Sequence, residues 1–190
     1  MKDQVRVLGI DDSPFEFGDP SSLVVGALVR APSYLEAVMR TEVEVDGDDA
    51  TDRLVEMVIR SRYREQVKLV IVDGIALAGF NVLDLESFHE RTGIPIATVT
   101  RDPPDLAEIE SALAKHFDDW QGRMALVTRH PLRPLDTGHK PIHASVLGMD
   151  WPEFSQLVRA TTVRGAVPEP VRIAHLVAAA MVKGESRGRS

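Results

Sequence analysis

The sequence predicts an α/β fold built on a mixed sheet, antiparallel over its first three strands and parallel afterwards, with helices on both faces. Three observations carry that expectation. The first 45 residues hold three strand-like runs with no helix-length segment between them. The middle of the chain alternates apolar and amphipathic runs as βαβα, which favours parallel strands joined by right-handed crossovers. Two late stretches then carry proline where a helix would begin.

In order, RVLGI (residues 6–10) is a first apolar strand and SLVVGALVRA (22–31) a second, separated by the turn-rich DDSPFEFGDPS. LEAVMRTEVEV (35–45) is the third, alternating apolar and polar from Met39. DDATDRLVEMVIRSRY (48–63) puts Leu54, Val55, Val58 and Ile59 at helical spacing behind acids and a threonine able to cap it. KLVIVDG (68–74) is wholly apolar up to its aspartate, as in a strand buried on both faces. LDLESFHERTG (83–93) reads as a helix closed by glycine, IPIATVTR (94–101) as a strand and DLAEIESALAKHF (105–117) as a second amphipathic helix. RMALVTR (123–129) and KPIHASVLGM (140–149) read as strands flanking the loop HPLRPLDTGH. DWPEFSQLVRATT (150–162) and VPEPVRIAHLVAAAMVKG (167–184) close the chain as helices, with a frayed tail from about residue 185. No repeat or linker marks a boundary, so residues 1–190 are expected to form one domain.

The net charge of −7 argues against a protein that coats nucleic acid non-specifically, yet leaves room for a basic groove beside an acidic site. The chain has no cysteine, which removes disulfides, thiolate metal sites and thiol nucleophiles and suits a cytoplasmic setting. No apolar run is long enough to span a bilayer, so a membrane partner is not expected.

The acids fall where strands end. Asp11 and Asp12 close the first strand, Asp46 the third and Asp73 the fourth. If the first and fourth strands are parallel neighbours, Asp11 and Asp73 lie side by side at their carboxyl ends, where open α/β sheets keep ligands. Aspartate is also a common turn residue. Three separate strands ending in aspartate point further, because gathered carboxylates repel one another unless a cation neutralises them. Hard oxygen ligands suit Mg²⁺ or Mn²⁺. A phospho-acceptor receiver domain, with Thr100 and Arg101 in supporting parts, is disfavoured because such a domain alternates strand and helix from its start.

Particular motifs carry a family resemblance over about residues 5–180. GIDDSPF resembles the GVDxSF segment of endonuclease V. VDGIALAG, a helix and GIPIATVTR resemble that family's DGxGxAH, helix and IPTIGVAK. VPEPVRIAH is similar to its PEPTRLAH. The match is closer to a mainly archaeal family allied to endonuclease V, typified by GIDD, DGxDAT, VDG and RGxxPEPxRIAH. That family is linked to cleavage of deoxyuridine-containing DNA and called endonuclease dU.

The resemblance implies a ribonuclease H-like fold and a Mg²⁺- or Mn²⁺-dependent endonuclease acting on DNA, in repair, near a deaminated base. It implies Asp11 and Asp73 as metal-binding carboxylates, Asp46 or Asp49 as a third, and His175 as a late ligand. Arg101 falls on the family's lysine and suits phosphate. Two departures argue against inosine as substrate: Gly79 replaces the histidine of DGxGxAH, and MRTEVEVDG lacks the strand-splitting Pro-Tyr-Ile-Pro-like loop. A base pocket is expected near Gly74, Gly79 and Phe80. RNA in place of DNA, a non-catalytic nucleic-acid or nucleotide-binding protein, and a phosphohydrolase of free nucleotides stand as alternatives. Glu169 and Arg172 read either as an i,i+3 pair supporting a helix or as support for the site. His130 reads as part of a solvated basic loop.

Overall fold

The structure is a computed structural model that describes residues 5–16 and 18–187. Residues 188–190 of the expected frayed tail lie outside the described residues. The chain opens with β1 (Arg6–Asp12), β2 (Ser21–Arg30) and β3 (Tyr34–Glu44), followed by α1 (Ala50–Ile59) and β4 (Val67–Asp73). A short ribbon of β5 (Ala76–Leu77) and β6 (Asn81–Val82) leads to α2 (Leu85–Thr92) and β7 (Ile96–Thr100). Then come α3 (Leu106–His116), α4 (Trp120–Arg129), β8 (Arg133–Leu135), β9 (Ile142–Leu147), α5 (Trp151–Thr161) and α6 (Glu169–Lys183).

Among the described residues the main sheet has the order β3-β2-β1-β4-β7-β9-β8. β1, β2 and β3 pair antiparallel, and β1–β4 and β4–β7 are parallel, as the sequence predicts. β9 then pairs antiparallel with β7, and β8 closes the edge antiparallel to β9. Pro134 sits in that edge strand, where a missing backbone donor is tolerated.

Two expectations fail: residues 133–135, expected within the loop 130–139, form β8, and one expected strand is a helix. Residues 123–129, expected as a strand, form most of α4. A short apolar run such as Met124–Val127 does not by itself separate strand from helix. Here none of its residues is fully buried, as a central strand would require. The helical turn instead lets Arg123 pair with Asp119 four residues back, at 2.9 Å. Arg123 Nη1 also donates to the carbonyls of Asp46, Gly47 and Phe80 at 3.0, 2.8 and 2.7 Å, which ties α4 to the turns beyond β3 and β4.

The strand period of two divides the core. Leu8, Ile10, Val70 and Val72 face α1 and α2, where they meet Leu54, Val58 and Phe88. Val7, Leu69, Ile71 and Val99 face the other way, onto Phe154 and Val158 of α5 and Val171 of α6. Asp11 and Asp73 continue the second row, and Asp12 continues the first.

Gly9 also belongs to the second row. A Cβ built there would lie 2.1 Å from the carbonyl carbon of Pro170 and 2.3 Å from the amide of Val171. The first turn of α6 therefore rests directly on the backbone of β1. Backbone cannot rotate away as a side chain would, so overpacking at this point falls at the upper end of the usual range. Gly9→Ala is expected to lower the unfolding free energy by about 3 kcal/mol in urea titrations. A change below about 0.5 kcal/mol, the range of ordinary surface substitutions, would show that α6 is not seated this way.

Candidate active site

The parallel register of β1 and β4 runs to Ile10 against Val72, so Asp11 and Asp73 occupy the next position on adjacent strands and the same face. Adjacent strands lie about 4.8 Å apart, close enough for two carboxylates to repel strongly. Asp11 is 5 % exposed, whereas Asp73 is exposed. Burial, then the charges of Asp73 and Asp12, push the Asp11 carboxyl up to about 8. Its Oδ1 accepts the amide of Asp12 at 2.9 Å. Its Oδ2 lies 2.8 Å from His175 Nδ1, within hydrogen-bonding distance.

The seating of α6 explains that contact. From Pro170 to His175 the helix advances roughly 7.5 Å. From Gly9 to Asp11 the strand advances roughly 6.6 Å, so the two side chains arrive together.

Above this pair lies a cavity of about 240 Å³ whose lining includes Asp73, Thr100, Arg101, Arg172 and His175. Arg101 extends the row of Ala97 and Val99 beyond the end of β7. Arg172, which the sequence left between helix support and a part in the site, reaches the same space. Its Nε and Nη2 donate to the two oxygens of Glu169 at 2.8 and 2.6 Å.

Asp46 and Asp49 do not line this cavity. Asp46, at a left-handed φ of 58°, accepts the Phe80 amide on Oδ1 at 2.8 Å, while its own amide donates to the Ala78 carbonyl at 2.8 Å. Asp49 accepts from the Glu44 amide, Asn81 Nδ2 and Arg53 Nε at 3.0, 2.8 and 3.0 Å. Burial works to raise its carboxyl, but these three donors outweigh it and hold the group below the usual range. Asp12, on the opposite face, accepts the Ala78 amide at 2.9 Å. Among the described residues no three His, Asp or Glu side chains converge as a ready-made ligand set. Of the expected ring of Asp11, Asp73, Asp46 and His175, Asp11 meets His175 and stands beside Asp73 on the neighbouring strand, while Asp46 is engaged in bracing the loop after β4.

Comparison with known proteins gives the family and the fold. The family model for endonuclease dU matches residues 3–182. A UPF0215 protein of Methanothermobacter thermautotrophicus is 39% identical over 99% of this chain and 93% of its own length. The chain belongs to the endonuclease dU family. A solved protein of unknown function from Archaeoglobus fulgidus is 38% identical, with a TM-score of 0.83 over 94% of this chain and 98% of that one. Endonuclease V of Ciona intestinalis, in complex with DNA containing an inosine, shares the fold at 12% identity, with a TM-score of 0.58 over 90% of this chain and 82% of that one. The fold is the ribonuclease H-like fold of endonuclease V.

Within that fold Gly79 has a physical reason. Its φ is +87°, and a Cβ there would lie 2.3 Å from Asp46 Oδ1. The carboxylate of Asp46 fills the space that a side chain would need. Gly79 and Phe80 do not border the 240 Å³ cavity, and Phe80 packs edge-on against Phe117 at 5.8 Å. A larger cavity of about 450 Å³ lies between the sheet and the α3–α4 pair, walled by Gly74, Ile75, Pro104, Ile109, Val127 and His130. It shares Thr100 with the first cavity.

The raised Asp11 carboxyl sets a pH dependence. Its folded value lies above the ordinary carboxylate value of about 3.9, so the protonated form is the one the fold favours. Without a cation, the stability it contributes is complete below about pH 4 and is lost as pH rises through about 8. Asp11→Asn is expected to flatten that decline, raising the melting temperature relative to wild type at pH 9 in EDTA but not at pH 4. Parallel melting curves for the two proteins at all pH values would contradict the assignment.

Proposed function

We propose that this chain is a metal-dependent nuclease that hydrolyses phosphodiester bonds in DNA near a deaminated base such as deoxyuridine. The observation that carries the reading is a buried carboxylate, Asp11, left under the repulsion of Asp73 at the strand ends beside a cavity with two guanidinium groups. Two carboxyl groups on adjacent strands beside a wall of guanidinium groups suit a divalent ion and the phosphate it contacts.

The donors present fit a hard cation. Mg²⁺ keeps several waters and takes one or two carboxylates plus substrate oxygens, so it does not need a full protein cage. Asp11, Asp73 and His175 are the residues that would hold it. When bound, such an ion supplies an acidified water and neutralises charge growing on the phosphate. Arg101 binds the phosphate oxygens by charge-assisted hydrogen bonds. Asp11 orients the His175 ring through Nδ1, and because a carboxyl must be deprotonated to hold a cation, affinity for the ion would rise with pH. The 450 Å³ cavity is large enough for a flipped base, and Thr100 lines both it and the first cavity, so the two lie side by side. Its apolar walls favour a small heterocycle over a charged group.

The likeness to an endonuclease V that holds inosine-containing DNA supports nucleic acid as the ligand class. A non-catalytic binding protein on the same fold is the competing reading, favoured by the lack of three pre-assembled ligands among the described residues. Removing a residue that merely orients a metal ligand costs about 10–100-fold. Asp11→Asn and Asp73→Ala should therefore each lower Mn²⁺-dependent nicking of a deoxyuridine duplex more than about 100-fold, with loss of the Mn²⁺ heat in calorimetry. Nicking at the wild-type rate in both variants would remove the proposed site. Mn²⁺ binding without nicking of any duplex would favour the binding protein.

A further inference from the structure

The first turns of α6 carry a charge arrangement that the proposed hydrolysis leaves unexplained. Glu169, Arg172 and His175 recur at i, i+3 and i+6, so they form one stripe along the helix. Glu169 is 6 % exposed. A carboxylate is kept that far from water only when it is firmly paired, and a pair that served merely to support the helix would gain nothing from burial. Both of its oxygens are taken by one fork of Arg172, at 2.8 and 2.6 Å. That two-point contact fixes the plane of the guanidinium, which a single contact would leave free to swing. The Arg172 side chain is 37 % exposed and lines the same cavity as Asp73, Arg101 and His175. Glu169 is therefore spent on aiming Arg172, and Arg172 is aimed at the cavity.

We propose that Arg172 anchors a backbone phosphate of the bound nucleic-acid strand, and that Glu169 is the positioning residue that presents it. The inference rests on the nuclease reading, since the same cavity would hold the strand. It adds a contact independent of base identity, because phosphate carries no sequence information. Arg172 is held by its two-point contact with Glu169 on a helix seated against β1. The pre-set cation therefore fixes the register of the strand over the carboxylates.

The test is the salt dependence of binding to a labelled duplex, with and without deoxyuridine, in EDTA and with added Ca²⁺. Each phosphate contact contributes about 0.9 to the slope of log affinity against log salt. Arg172→Ala should lower the slope by about one and weaken binding roughly three- to tenfold near 0.1 M salt, equally for both duplexes. Arg172→Lys should keep the slope while losing affinity, since the charge stays and the fork is lost. Glu169→Gln removes a negative charge, so long-range electrostatics alone would tighten binding; the proposal expects binding several-fold weaker. Melting curves accompany each variant, and if Glu169→Gln does not fold, the Arg172 pair decides. A wild-type slope in Arg172→Ala, or tighter binding by a folded Glu169→Gln, overturns the inference and leaves the nuclease reading intact. A wild-type chain that binds no duplex under either condition overturns both.

Discussion

The N-terminal turn of α6 lies on bare backbone at Gly9, with no side chain between helix and strand. That contact sets the distances of the site. It carries His175 to Asp11, closes Asp11 away from water, and places Arg172 at the cavity that Asp73 also borders. A helix held one side chain further out would leave Asp11 hydrated and its charge inexpensive. With the helix seated, Asp11 is a buried acid beside another acid, and the folded chain favours its protonated form.

Local strain gathers around the same strand ends. Asp46 and Ala78, at φ 58° and 47°, are the two non-glycine residues with positive φ among those described, and they are joined by the Asp46 amide on the Ala78 carbonyl. Such conformations cost about 1–3 kcal/mol each and persist where surrounding contacts over-determine them. Here the contacts are explicit: Asp12 accepts the Ala78 amide, Asp46 accepts the Phe80 amide, and Arg123 gathers the carbonyls of Asp46, Gly47 and Phe80. The loop after β4 is thus clamped from β1, β3 and α4 at once. Gly74 and Ile75 at the start of that loop wall the larger cavity, so the clamp holds that wall in place.

Much of this was readable from residues alone. The apolar run Leu69–Val72 announces a strand buried on both faces, and the absence of a helix before residue 45 announces the antiparallel opening. Parallel pairing then put Asp11 beside Asp73 without further information. What was not readable depends on partners distant in sequence. The run at 123–129 has apolar residues compatible with either period, and its helical state follows from Arg123 reaching carbonyls more than forty positions away. The engagement of Asp49 by Asn81 and Glu44, and of Asp46 by Phe80, could not be told from their position after a strand. Arg172 offered an i,i+3 signal, but the burial of Glu169 that distinguishes an aimed guanidinium from a surface pair exists only in the packed helix.

The account turns on two carboxylates of adjacent strands sharing one cation. Diffraction from crystals soaked in Mn²⁺, with the ion located by its anomalous signal, addresses that directly. The predicted result is a peak about 2 Å from a carboxylate oxygen of both Asp11 and Asp73, with the Asp11–His175 hydrogen bond broken or rearranged. A peak bound by neither or by only one of these aspartates, or an ion held instead at Asp46 and Asp49, would contradict it.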